Sequence, residues 1–182
     1  WVEDDIVVMV TPTRIRYHVG TGDWLTPTTP ASGIISGGVS ACEYKSAMLI
    51  AAGSSYWYSA DAGANWTESA FAADDARFFC VYDQKLIRID ANGNIYWSTL
   101  DHTGAPAAGN WTAKSSILPN HTINGMIVWR DLTGAPAIII ATTRGLYIFD
   151  FESDKLYGMP PEWSHGDTYH AWQMRVWNQD LY

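Results

Sequence analysis

The eight residues Ser59-Ala60-Asp61-Ala62-Gly63-Ala64-Asn65-Trp66 constrain what this chain can fold into more than any other stretch. They lie between two runs of strand character, YWYS (56–59) and NWTES (65–69). An aspartate followed two residues later by glycine makes a tight turn, in which the carboxylate accepts backbone N–H groups and glycine supplies a positive φ. The serine hydroxyl can satisfy a further turn amide, and the tryptophan is large enough to plug the hairpin onto a sheet beneath it. Such a segment is a folding staple. It speaks to architecture far more than to chemistry.

Repetition strengthens the reading. A looser copy follows at Tyr96-Trp97-Ser98-Thr99-Leu100-Asp101-His102-Thr103-Gly104, closed by Asn110-Trp111-Thr112, so that Trp66 and Trp111 stand 45 residues apart. Independently, aromatics end strand-like runs at Tyr44, Tyr82, Trp129 and Trp177, with spacings of 38, 47 and 48. A period of roughly 40–50 residues is what a four-stranded repeating unit requires.

Strands can be laid out within each period. The first unit reads VSACEY (39–44), AMLIAAG (47–53), YWYS (56–59) and NWTES (65–69); the second reads RFFCVY (77–82), KLIRID (85–90), NIYWST (94–99) and NWTAKS (110–115). The third reads GMIVWR (125–130), PAIIIAT (136–142), GLYIFDF (145–151) and KLYGM (155–159). These runs are short, rich in Val, Ile and aromatics, and punctuated by Gly, Asn, Asp and Pro. Asp83-Gln84 and Asn92-Gly93 read as hairpin turns, the latter as a strong short-hairpin signal. No window carries a helical stripe, though AFAADDAR (70–77) has room for one turn. The chain is all-β.

Ser59, Asp61, Gly63 and Trp66 fit the pattern Ser-x-Asp-x-Gly-x-x-Trp, and the segment resembles the Asp-box, or BNR repeat, of sialidase-like and sortilin-like β-propellers. The resemblance implies a propeller of four-stranded antiparallel blades. It also implies that the box joins the two outer strands of a blade, on the face opposite the functional one, which makes these four residues structural. About four blades are expected: 1–27 (partial), 39–70, 76–116, 124–160 and 171–182 (partial). Residues 6–26 align with 138–158 as second to fourth strands, with the first strand absent, while AWQMRVW (171–177) reads as a first strand followed only by QDLY (179–182). Residues 1–182 are then either one closed four-blade domain, with the last strand completing the first blade, or a fragment of a larger propeller. The fragment is the stronger reading, with 171–177 and 6–10 at opposite ends of an open fan.

Composition excludes several classes. With 182 residues, 47% hydrophobic, the chain can bury a real core, and no apolar run is long enough to span a membrane as a helix. A net charge of −8 repels phosphate backbones, so nucleic acid is not expected as a partner. Cys42 and Cys80 occupy equivalent places in consecutive units and read as buried thiols. Of the Asn-x-Thr triplets at Asn65, Asn110 and Asn120, two belong to the turn motif, which explains them without glycosylation.

Chemistry is expected on the face away from the box. There lie the turns between second and third strands, TPT (11–13), GSS (53–55), DANGN (90–94) and TTRG (142–145), and the links between blades. The last link, 158–171, is the most decorated: Trp163, His165, Asp167, Tyr169 and His170, with Arg144 on the adjacent turn, are the candidate binding residues for a protein or carbohydrate. The competing reading makes Trp163 a cap and the polar residues solvated. His165 and His170 flanking Asp167 lack a third spaced ligand, and Ile95 stands where a calcium loop at Asp90 needs glycine, so no metal and no cofactor is expected.

The sialidase resemblance would imply an arginine cluster, a tyrosine nucleophile assisted by glutamate, and an acid. Arg14-Ile15-Arg16 lacks the proline of the Arg-Ile-Pro motif, and Glu3, Glu43, Glu68, Glu152 and Glu162 show no such arrangement, so no catalytic residue carries over. The preferred expectation is a non-catalytic binding platform within a larger surface or particle-associated protein. The alternative is a fragment of a sialidase-like glycoside hydrolase. The aromatic-rich, Gly/Ala/Thr-rich texture favours an extracellular or particle setting.

Overall fold

The structure, a computed structural model, describes residues 2–3, 6–11, 13–28, 40–53, 55–69, 75–100, 111–118, 121–131, 133–159, 174, 176–177 and 180–181. The Asn/Asp/Gly punctuation cuts the chain into short strands with no helix among the described residues. They are β1 (Val2–Glu3), β2 (Ile6–Thr11), β3 (Arg14–Val19), β4 (Ser40–Tyr44), β5 (Ala47–Ala51), β6 (Tyr56–Ser59), β7 (Thr67–Glu68), β8 (Phe78–Tyr82) and β9 (Lys85–Ile89). There follow β10 (Asn94–Ser98), β11 (Thr112–Ile117), β12 (Ile123–Arg130), β13 (Pro136–Thr142), β14 (Gly145–Asp150), β15 (Lys155–Gly158), β16 (Val176–Trp177) and β17 (Asp180–Leu181). Residues 70–74 of the possible helical turn lie outside the described residues.

Three sheets have four antiparallel strands in simple sequential order, β4–β7, β8–β11 and β12–β15. The four-stranded blades expected from the repeat are present. Tyr44 and Tyr82 close their innermost strands, and Trp129 stands one residue from the end of β12. Tyr44 Oη donates to Gln84 O at 2.7 Å and Tyr82 Oη to Pro136 O at 3.4 Å, so each ties its sheet to the first turn of the next.

The period-2 alternation of a strand assigns each side chain to one of two interfaces. On β5, Met48 and Ile50 pack with Val8, Ile15 and Trp66, whereas Ala47, Leu49 and Ala51 pack with Phe79 and Leu86 of the next sheet. On β13, Ile138 and Ile140 meet Ile87, Ile89 and Phe78, whereas Ala137, Ile139 and Ala141 join Met159 and Met174. Both faces of the second strands are therefore covered, which is why AMLIA and AIIIAT read as continuous apolar runs and are buried throughout. Each fully buried Leu or Ile contributes about 1.5–3 kcal/mol to this stacking.

One expectation needs correction. The first strand of the N-terminal sheet is not absent: Val2–Glu3 folds back on Ile6–Val7 in that position, and Leu25 bridges Tyr17 in the fourth. A two-residue stub has no periodicity to announce it. Asn92-Gly93 does lie in the hairpin between β9 and β10, in a loop of three residues. Asp90 pairs with Asn94 across it, and only Gly93 has a positive φ, 84°. The Asp90 carboxylate dictates this by accepting from the N–H groups of both Asn92 (2.8 Å) and Asn94 (2.9 Å). The turn with two positive φ values is Asp83-Gln84, at 45° and 58°.

At the ends, β2 is flanked by β1 and β3, and β16 pairs with β17 in a two-stranded sheet of its own. No ladder joins β2 to β16 among the described residues. Cys42 and Cys80 are free thiols, and burial pushes both well up, with Glu43 adding to the effect at Cys42 and Cys42 at Cys80.

Candidate functional site

Because the strands alternate in direction, turns joining second to third strands emerge at one end of every sheet, and the remaining hairpin turns at the other. Ser59–Trp66 lies at the second end, Arg144 at the first.

The side chains of the 59–66 turn bond within it, and Ala64 O also accepts from Thr28 N–H at 2.8 Å. Gly63 N–H donates to Ser59 Oγ at 3.0 Å, Ser59 Oγ to Asp61 Oδ1 at 2.9 Å, and Asn65 N–H to Asp61 Oδ1 at 2.8 Å. Asn65 Nδ2 reaches Asp61 Oδ2 at 2.6 Å, and Trp66 Nε1 donates to Gly63 O at 2.9 Å. Partial burial pushes the Asp61 carboxyl up, but the bonds from Asn65 and Ser59 outweigh it and hold the carboxyl below its ordinary range. Gly63 sits at φ +89°, where its position leaves only 3.2 Å between an added Cβ and Val8 of the preceding sheet. Trp66, 1% exposed, fills the interface with that sheet. Asp61 therefore works inside its own turn, as the sequence implied.

At the other end, Thr142 fixes the turn that carries Arg144. Its hydroxyl donates to Gly145 O and accepts from Arg144 N–H, both at 3.0 Å, and Thr143 N–H donates to Thr122 O at 3.0 Å in the link from the preceding sheet. The Arg144 guanidinium is exposed and has no hydrogen-bond partner among the described residues. Beside it lie two residues that the sequence reading passed over. His121 sits with its ring centroid 5.4 Å from that of Tyr147, and its Nδ1 is buried without a hydrogen bond. Desolvation lowers the His121 pKa, and the positive charge of Arg144 lowers it further, so the ring is neutral at pH 7. A fixed cation, a neutral imidazole and an aromatic face make a cluster suited to holding a polar or anionic group. The signal for His121 was its place in a link between sheets, the same class of segment as 158–171.

Trp163, His165, Asp167, Tyr169 and His170 lie outside the described residues. Among those described, no three His, Cys, Asp or Glu side chains converge as a metal site, and no helix is long and apolar enough to cross a membrane.

No family model matches the chain, and no curated protein matches its sequence. Solved structures do match in fold. The extracellular domain of BT4673 from B. thetaiotaomicron superposes with a TM-score of 0.69 at 10% identity, over 99% of this chain and 25% of that one. YCF48 from Cyanidioschyzon merolae gives 0.56 at 12% identity, over 96% and 59%. The computationally designed Ika8 protein gives 0.58 at 11% identity, over 93% and 49%. This chain thus spans between a quarter and three-fifths of the length of these structures. Identities this low speak for the fold alone, and the fold is that of a β-propeller domain.

Proposed function

We propose that this domain is a non-catalytic β-propeller platform that binds a protein or carbohydrate ligand on its Arg144 face, within a larger surface or particle-associated protein. The observation that carries this reading is the exposed Arg144 guanidinium, without a hydrogen-bond partner among the described residues, carried on a turn whose backbone is held by Thr142 and Thr122. The ordered backbone lowers the cost of binding, which then falls on one side chain. The adjoining link supplies Trp163 and Tyr169, residues suited to stacking on a sugar ring or packing on a protein. In this reading the 59–66 turn is an Asp-box and has no part in recognition, because its polar groups are consumed within the turn.

A glycan array probed with the purified chain tests this. Binding that falls at least fivefold in Arg144→Ala and Trp163→Ala, but not in Asp61→Ala, is the expected result. Binding indifferent to Arg144 and Trp163, or hydrolysis of a fluorogenic glycoside, would overturn it.

A further inference from the structure

A groove of about 570 Å³ crosses the Asp61 end of the sheet β12–β15, opposite the Arg144 face. That volume falls within the range of ligand-binding clefts. It runs between the Asp131–Pro136 turn and the Asp150–Phe151 turn and is open along one side. Tyr82 of the preceding sheet and Tyr157 of β15 contribute rings, Pro136 and Ile148 an apolar floor, and Asp131 and Asp150 the charge. Tyr157 is 48% exposed, a large aromatic left at the rim.

Both carboxylates are ionised at neutral pH. The Thr133 hydroxyl holds Asp131 below the ordinary carboxyl range, and the Ser153 hydroxyl does the same for Asp150. The bonds within the Asp131 turn all go to Oδ1, from Thr133 N–H (2.8 Å), Thr133 Oγ1 (2.7 Å) and Ala135 N–H (2.9 Å). Oδ2 has no partner among the described residues. No cationic side chain is among the described lining residues. Lys155 stands close enough to Asp150 to act on its charge, and Lys85 and Lys114 stand over the Phe151 ring, whereas no cation acts on Asp131 among the described residues.

A wall with acceptors, and with a fixed negative charge at Asp131 that no described cation offsets, selects a donor-rich ligand. A neutral sugar would desolvate the two carboxylates without neutralising either. A cation on an apolar stem satisfies both features, its charge facing the carboxylates and the ring faces, its stem the floor. The open side leaves a path for a polypeptide backbone to pass outside while one side chain enters.

We propose that this groove receives an arginine or lysine side chain of a protein partner, lodged between Tyr82 and Tyr157 with its charge at Asp131. The assignment is independent of the reading of the Arg144 face.

NMR titration of the whole chain with the peptide Ac-Gly-Arg-Gly-NH2 tests it, with the Gln and Glu peptides, methyl β-glucoside and n-butylammonium as comparisons. The arginine peptide should shift the ring resonances of Tyr82 and Tyr157 in a saturable, salt-weakened manner. Asp131→Asn keeps the Oδ1 acceptor that the turn needs and removes the charge, so it should weaken the peptide by about fivefold. Tyr157→Ala, at an exposed position, should weaken it as well. Equal response to the Gln peptide, a response to the glucoside instead, unchanged binding in Asp131→Asn, or no response to the arginine peptide would each overturn the assignment. Tighter binding of n-butylammonium than of the peptide would overturn the polypeptide partner.

Discussion

The third-to-fourth-strand turns of the first and third four-stranded sheets, 59–66 and 150–155, do the same job by different chemistry. Each puts an aromatic into the interface with the preceding sheet: Trp66 in one cluster with Val8 and Ile15, Phe151 against Tyr82 and Trp97. In the first turn the side-chain bonds are internal, Ser, Asp and Asn bonded to one another, and one backbone bond leaves it, from Thr28 N–H to Ala64 O at 2.8 Å. The second reaches outward. Lys114 Nζ lies 3.8 Å from the Phe151 ring centroid and donates to Phe151 O at 2.6 Å, Lys85 stands over the same ring at 5.3 Å, and Asp154 accepts from Ser115 N–H at 2.8 Å. The aromatic plug is what the architecture demands, whereas the polar scaffold that holds it is free to vary.

The largest effects should come from removing the plugs. Trp66→Ala and Phe151→Ala should each cost about 3–5 kcal/mol, read from denaturant unfolding. A Phe151→Ala cost below about 1 kcal/mol would break the equivalence.

Next in size, Asp61→Ala should cost about 1–3 kcal/mol by stranding turn donors. Gly63→Ala should cost about 1 kcal/mol or more, since the residue combines a positive φ with a close approach to Val8. Thermal unfolding of the two variants measures both. Stability unchanged in Asp61→Ala would mean that the first turn is held by packing alone.

Smaller still is the coupling between Lys114 and Phe151. A double-mutant cycle with Lys114→Met and Phe151→Leu should give about 0.5–1 kcal/mol. Zero coupling would reduce the second turn to a bare apolar plug.

Acid distinguishes charged turns from plugs. Asp61, Asp131 and Asp150 all have folded pKa values below the ordinary 3.8. The unfolded chain then binds more protons as pH falls through that region, so their stabilisation is complete above about pH 4 and is lost below it. Asp61→Asn and Asp150→Asn should flatten the acid limb of a stability–pH curve, and an unaltered limb would count against the turn bonds.

The comparison also explains what could be read in advance. Ser59, Asp61, Gly63 and Trp66 were legible because the hydrogen bonds of their side chains stay within the turn, although Trp66 and Gly63 also pack on the preceding sheet. Phe151 was not, because Lys85 and Lys114 belong to the preceding sheet and nothing local marks the contact. The repeat aromatics fixed the sheets and their order, but Val2–Glu3 was too short to show alternation. Asn92-Gly93 marked its hairpin correctly, and Asp90, two residues upstream, sets the loop's length by capping Asn92 and Asn94. In the candidate site Arg144 was visible on its turn, while His121 and Tyr147 come together only when the link packs on β14.

If these turns lock each sheet to the one before it, removing a plug should loosen the preceding sheet. Native-state hydrogen exchange on Trp66→Ala and Phe151→Ala measures this. Trp66→Ala should lower protection in β2 and β3, and Phe151→Ala in β8 to β11, on the preceding side in both cases. Loss confined to the mutated sheet, or passed to the following one, would contradict it.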